Sequence, residues 1–261
     1  VVNGEIYGLS NRPSFDPSMA AYYPVSLRRN RIVSDSIEPG SLIKPFVVAA
    51  GLESKKIKFN DVFPYNKEIR VGRHVINDPK DLKKKEITLT DSLKYSSNTA
   101  MVEISKKIGF KKLMSFYRDL GLMKRTKVSL PAESSGIFRE PNVGDKISPL
   151  TMSFGQGFAV TPIQLAYGLA ALVNGGKTVE PQIVRQIRTR YFGEFGRNEK
   201  KSEVQNILKE SNSRRLRHML SEVVSEEGSG KLAALDHVLK AMGKTGTSQR
   251  FNRERKSYVG G

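Results

Sequence analysis

The sequence predicts an α+β domain, and three observations lead there. Helical patterns dominate the middle of the chain, short strand-like pieces such as Glu68–Val71 precede them, and two more strand-like pieces stand near the end. At 261 residues, with 38% apolar and 27% charged, the chain suffices for a full core. One large domain, or two lobes sharing a cleft, is expected over residues 1–261, with an all-helical lobe at roughly 82–121.

Taken in order, Ile6 and Tyr7 read as the centre of a short strand, closed by a loop from Asn11 to Pro17. Residues 18–37 show no clear period. Pro39 and Gly40 then punctuate a turn that runs straight into an apolar helix, with Ile43, Phe46, Val47 and Ala50 at helical spacing. Ser41 falls in its first turn, where N–H groups lack partners and the helix dipole favours negative charge. Lys44 follows three residues on, on the same face. A hydroxyl near an amine at that end of a helix is a candidate nucleophile and base, provided burial or a neighbouring cation keeps the amine neutral. In isolation the pair reads first as a helix start with a solvated lysine, because Ser-x-x-Lys is common on helices.

Lys55 to Asp81 is polar, and pieces such as Glu68–Val71 suit a hairpin. Thr90 and Asp91 are expected to cap a helix that breaks at Ser96-Ser97-Asn98, a polar stretch suited to a short exposed connection. A second helix runs from Thr99 to Ile108 and stops at Gly109, and a third carries Phe110, Leu113, Met114, Tyr117 and Leu120 up to Gly121. Thr161-Pro162-Ile163-Gln164 is a capping box with proline at the first helical position, and its helix continues to Asn174-Gly175-Gly176. Residues 188–203 read as an insertion or exposed loop. A further helix starts at about Ser213 and ends at Gly228-Ser229-Gly230. Ala241–Ser248 and Lys256–Gly260 read as two strands joined by an exposed basic loop.

Composition removes several chemistries. The absence of cysteine excludes disulfides, thiolate nucleophiles and cysteine-ligated zinc. His74, His218 and His237 are scattered without ligand spacing, so neither metal nor cofactor is expected. Gly243-Lys244-Thr245 hints at a phosphate loop, but Val238 stands where that motif requires its first glycine. The net charge of +18 asks for an acidic neighbour. The basic clusters are spread rather than striped and bring no nucleic-acid motif, so anionic lipid or an anionic polymer fits better than nucleic acid.

Ser41-x-x-Lys44, Ser96-x-Asn98 and Lys244-Thr245-Gly246 each occur once, in that order. With Pro45-Phe46, Gly155-Gln156-Gly157, Thr161-Pro162-x-Gln164-Leu165 and Asn174-Gly175-Gly176, they make most of the chain resemble a class B penicillin-binding protein, a peptidoglycan D,D-transpeptidase. The resemblance implies an antiparallel sheet of about five strands flanked by helices beside the helical lobe. It implies that Ser41 attacks the penultimate D-alanine carbonyl of a stem peptide with neutral Lys44 as proton acceptor, and that Ser96 relays the proton to the leaving amine. Asn98 would hold the peptide amide, Lys244 would lower the basicity of Lys44, and the Thr247 hydroxyl would bind the terminal carboxylate beside Thr245 and Gly246. The N–H groups of Ser41 and Thr247 would form the oxyanion hole.

By the same resemblance, β-lactams would be covalent inhibitors, and a membrane-embedded glycosyltransferase and divisome proteins would be partners. The enzyme would work on the outer, periplasmic face of the cytoplasmic membrane, held by an N-terminal helix outside this chain. The domain would be truncated at both ends, without the pedestal domain that precedes it or the closing strand and helix that follow. Tyr95-Ser96-Ser97-Asn98 and Ser153-Phe154-Gly155 look like the division (septal) type rather than the elongation type. Glu140-Pro141-Asn142 does not match the glutamate loop of a β-lactamase. A β-lactam sensor, a D,D-carboxypeptidase or β-lactamase-type hydrolase, and a basic nucleic-acid-binding protein remain the competing readings.

Overall fold

A computed structural model describes residues 3–184, 186–189, 193–197, 204–235, 240–246, 249–252 and 257–260. Its axis is the helix α3, Lys44–Glu53, buried from Lys44 to Leu52. A helix apolar on every side can be satisfied only by neighbours all round. Those neighbours are α5 (Asn98–Ile108), α6 (Phe110–Asp119), α8 (Pro162–Val173) and α9 (Glu210–Val223). They bury Phe46, Val47, Leu93, Met101, Leu113, Leu172 and Met219 in one continuous core.

Residues 18–37, which lack a period, contain only short pieces: a 3-10 turn Pro17–Tyr22, α1 (Val25–Arg28) and α2 (Arg31–Ser34). The strand expected at Ile6 and Tyr7 is absent. Glu5 makes one isolated bridge to Gln182, Ile6 N–H donates to Gln182 O at 2.9 Å, and Tyr7 is exposed, so there is no ladder to sustain a strand.

The hairpin expected around Glu68 forms: β2 (Glu68–Val71) pairs antiparallel with β3 (His74–Asn77), Ile69 opposite Ile76. Outside it, β1 (Val62–Pro64) pairs with β4 (Glu86–Thr88), which puts a strand inside the stretch expected to be all helix. The helix α4, Leu89–Lys94, is capped by Thr88 rather than by Thr90 and Asp91: the Thr88 hydroxyl accepts the Asp91 N–H at 3.0 Å. Ser97 caps α5 in the same way through the Ala100 N–H. The Ser96-Ser97-Asn98 connection is not exposed, since Ser97 is buried and only 8% of Ser96 is accessible. Its polarity serves an internal network.

A short helix, α7 (Ser148–Thr151), and a 3-10 turn, Met152–Phe154, lead to the Gly155 loop. The capping box at Thr161 and Gln164 is present in full. β5 (Lys177–Thr178) pairs with β8 (Gln205–Asn206), and β6 (Gln186–Thr189) with β7 (Gly193–Arg197), so part of the stretch read as a loop is a hairpin. α9 begins at Glu210, ahead of the expected Ser213, and stops at Val223, ahead of Gly228. Residues 241–246 are not a strand; the last pair is β9 (Gln249–Asn252) with β10 (Ser257–Gly260). The α+β class holds. Among the described residues the strands pair in twos rather than in one five-stranded sheet.

Candidate active site

Ser41 lies in a 3-10 turn, Gly40–Ile43, that passes directly into α3, and its carbonyl accepts the Lys44 N–H. Three residues per 3-10 turn place Lys44 at the next position of the same face. The turn rests on the Gly155-Gln156-Gly157 loop. Gly40 N–H donates to Gly155 O at 3.0 Å, and Gly157 N–H donates to Glu38 at 2.9 Å. Gly155 has φ +87°, and a Cβ there would stand 2.1 Å from Gly40 O, so the two segments touch only because it is glycine. Among the described residues the Ser41 hydroxyl and N–H have no hydrogen-bond partner.

Lys44 Nζ, with no accessible surface, donates to Ser96 O at 2.6 Å and to Asn98 Oδ1 at 2.7 Å. It also lies 3.2 Å from Ser96 Oγ. Ser96 is held at φ +56°, a conformation rare for serine, which brings its carbonyl and hydroxyl to the same amine. Burial first, then the positive charge of Lys244, push Lys44 well below the usual lysine range, with Asp78 opposing. A neutral amine has two N–H groups and one lone pair. The carbonyl and amide oxygens, which can only accept, take the two N–H groups. The lone pair therefore faces the Ser96 hydroxyl. Lys244 Nζ reaches that hydroxyl from the other side at 2.8 Å and donates to Thr245 O at 2.9 Å. Burial brings Lys244 down to about 8.

The three motifs thus meet around one hydroxyl, Ser96 Oγ. Gly246 completes the approach, because a Cβ there would lie 2.7 Å from Leu42 Cγ, next to Ser41. Thr245 Oγ1 is 3.0 Å from Ser229 Oγ. Thr247 lies outside the described residues. Ser41, Ser96, Asn98, Gln156 and Thr245 open on one cleft of about 950 Å³. No side-chain hydrogen bond joins Ser41 to Lys44 among the described residues; the backbone turn from Ser41 O to the Lys44 N–H brings the expected pair together. Glu140 is exposed and does not line the cleft.

Sequence reasoning missed Asp78, Glu38 and Lys94. Asp78 accepts the N–H groups of Asn98 and Thr99 at 2.5 and 2.8 Å, from a loop twenty positions upstream. Lys94 joins the cleft wall together, pairing with Glu227 at 3.0 Å while its carbonyl accepts the Ser229 N–H. No local pattern marks any of the three. Among the described residues no group of three His, Asp or Glu stands ready for a metal; His74 is exposed, the His218 ring lies tilted against Phe59, and His237 lies outside the described residues.

Comparison with known proteins bears on family and fold. The penicillin binding protein transpeptidase domain matches residues 1–261. Peptidoglycan D,D-transpeptidase FtsI of Escherichia coli (strain K12) is 31% identical over 253 residues, 96% of this chain and 40% of that protein. Stage V sporulation protein D of Bacillus subtilis (strain 168) is 32% identical over 261 residues, 95% of this chain and 38% of that protein. The apo transpeptidase domain of Burkholderia pseudomallei penicillin-binding protein 3 superposes with a TM-score of 0.75 at 25% identity, over 89% of this chain and 66% of that one. The chain therefore spans about two fifths of the length of these full-length relatives.

Proposed function

The chain belongs to the penicillin-binding protein transpeptidase family, and from that premise we propose that it is the catalytic domain of a peptidoglycan D,D-transpeptidase acting through an acyl-serine. The observation that carries this reading is the buried, neutral-leaning Lys44 amine, hydrogen-bonded to Ser96 and Asn98, with Lys244 on the far side of the same serine hydroxyl.

In the first step the neutral Lys44 amine turns its lone pair from Ser96 Oγ to Ser41 Oγ and takes the Ser41 proton as that oxygen attacks the penultimate D-alanine carbonyl. The oxyanion that forms meets the free Ser41 N–H, with Thr247 N–H as the second donor. The C–N bond then breaks, and the proton passes from Lys44 through Ser96 Oγ to the departing D-alanine amine. Lys244, still protonated, holds the Ser96 hydroxyl in line and favours negative charge in the cleft, where the peptide carboxylate sits with Thr245, Gly246 and Thr247. Asn98 gives the peptide amide a partner. In the second step the amine of a neighbouring stem peptide attacks the ester, its proton returns by the same route, and Ser41 is regenerated.

A β-lactam enters the same first step and is expected to stay on Ser41; Glu140, the nearest acidic candidate for a β-lactamase loop, does not line the cleft. The septal role, the glycosyltransferase and divisome partners, and a place on the outer face of the cytoplasmic membrane extend the family reading. Among the described residues no helix is long and apolar enough to cross a membrane.

The test is labelling with a fluorescent penicillin, followed by intact mass over time, with Ser41→Ala as control. The expected result is one long-lived adduct that disappears with Ser41→Ala. Rapid release of hydrolysed drug would move the assignment to a hydrolase, and no adduct would overturn the acyl-serine mechanism.

A further inference from the structure

We propose that Asp78 is a positioning residue for this reaction, holding the first turn of α5 so that Asn98 stays on Lys44 and placing a negative charge near Lys44. It leaves the strand β3 at the end of the hairpin, where its N–H donates to Lys67 O at 2.9 Å. Its side chain is buried and spans to another element. One oxygen, Oδ1, accepts both Asn98 N–H at 2.5 Å and Thr99 N–H at 2.8 Å, the two leading N–H groups of α5. The neighbouring Asn77 carbonyl accepts Asn98 Nδ2 at 2.8 Å.

Asn98 is thereby held by backbone and side chain alike, with one orientation left for Oδ1. That orientation ends on Lys44 Nζ at 2.7 Å. The hairpin therefore fixes, at one remove, which N–H of Lys44 is engaged and hence where its lone pair faces. The charged groups facing Lys44 are Lys244, which depresses its basicity, and Asp78, which opposes that; α5 contributes the neutral Asn98, and the connection before it the neutral Ser96.

This role rests on the acyl-serine reading, and the test separates the two. Second-order acylation by a fluorescent penicillin is measured from pH 5 to 10 for the wild-type protein, Asp78→Ala and Asp78→Asn. Asp78→Ala removes both acceptor and charge and is expected to slow acylation by about 100-fold, the scale of a small misplacement of a catalytic group. Asp78→Asn keeps an oxygen for the α5 N–H groups and is expected to recover to within about tenfold of wild type. Its acid limb nevertheless moves to lower pH, because the negative charge that supports protonated Lys44 is gone.

A merely structural role would lower the melting temperature without moving that limb. If Asp78→Ala does not fold, the acid limb of Asp78→Asn decides alone. Normal labelling of wild-type Ser41, with Asp78→Asn retaining both the wild-type limb and the wild-type rate, overturns the role of Asp78. Wild-type protein that does not label at Ser41 overturns the acyl-serine reading, and this role with it.

Discussion

Lys44 and Lys244 are two ammonium-bearing side chains sharing the hydroxyl of one serine, and their different burial gives them different tasks. Lys44 has no accessible surface and is pushed well below the usual range, so it is the one available as a base. Lys244 falls only to about 8 and keeps its charge at neutral pH. Acylation should rise with pH as Lys44 loses its proton and fall again as Lys244 loses its own near pH 8. Lys244→Met removes the cation that helps hold Lys44 down, so Lys44 rises and the acid limb moves to higher pH, opposite in sign to Asp78→Asn. The acylation rate constant should also drop by about 100-fold. A pH profile of penicillin acylation for both variants checks the pair, and shifts of the same sign would rule out this electrostatic account.

Elements bring these residues together through caps and close approaches. Ser97 caps α5 with its hydroxyl on the Ala100 N–H, and its loss in Ser97→Ala should cost about 1 kcal/mol in a denaturant titration. The Gly155 contact is stricter. Gly155→Ala would set a Cβ against Gly40 O while demanding φ +87° of alanine. The expected cost is about 2 kcal/mol in stability, from strain of that kind. Acylation should suffer more than folding, because the displaced segment carries Ser41; a variant that melts early yet acylates at the wild-type rate would show that the loop does not set the turn.

The same elements show what was readable from the chain. Ser41 and Lys44 could be read because one helical turn separates them, and α8 because Thr161, Pro162 and Gln164 write their cap locally. Thr88 could not be told from Thr90, since two threonines two positions apart both stand where α4 begins, and Thr90 proves to lie inside its first turn. The start of α9 was missed because Asn212 and Ser213 are buried by polar contacts, Ser213 Oγ on Leu172 O and Asn212 Nδ2 on Glu53, with no apolar period to reveal them. Ser96 and Ser97 looked like surface for the same reason. Asp78 has no local signature at all: its importance lies in where the β2–β3 hairpin ends relative to α5.

At the scale of the whole molecule, α3 carries the turn bearing Ser41 at its N-terminal end and is enclosed by four helices, so the position of the nucleophile is a property of the core. Phe46 lies one turn inside and is fully buried. Its ring reaches α8 at Gly168, where an added Cβ would stand 2.7 Å from Phe46 Cε1 and 3.2 Å from Leu120 O. Phe46→Ala should therefore destabilise by about 3–5 kcal/mol. For a chain of this size that is a fall of about 10 °C in melting temperature. Gly168→Ala alone overpacks the same spot, although alanine suits a helix better than glycine by about 1 kcal/mol. Together the two changes partly cancel: the new methyl occupies space that the ring has left, and α8 gains the helix propensity of alanine. A double-mutant cycle by thermal melting should give a favourable coupling of about 1 kcal/mol or more. Additive costs would mean that α3 and α8 relax independently and that Ser41 is not held from the core side. Favourable coupling together with recovered acylation would show that packing behind the cleft, between Phe46 and Gly168, sets the place of the attacking oxygen.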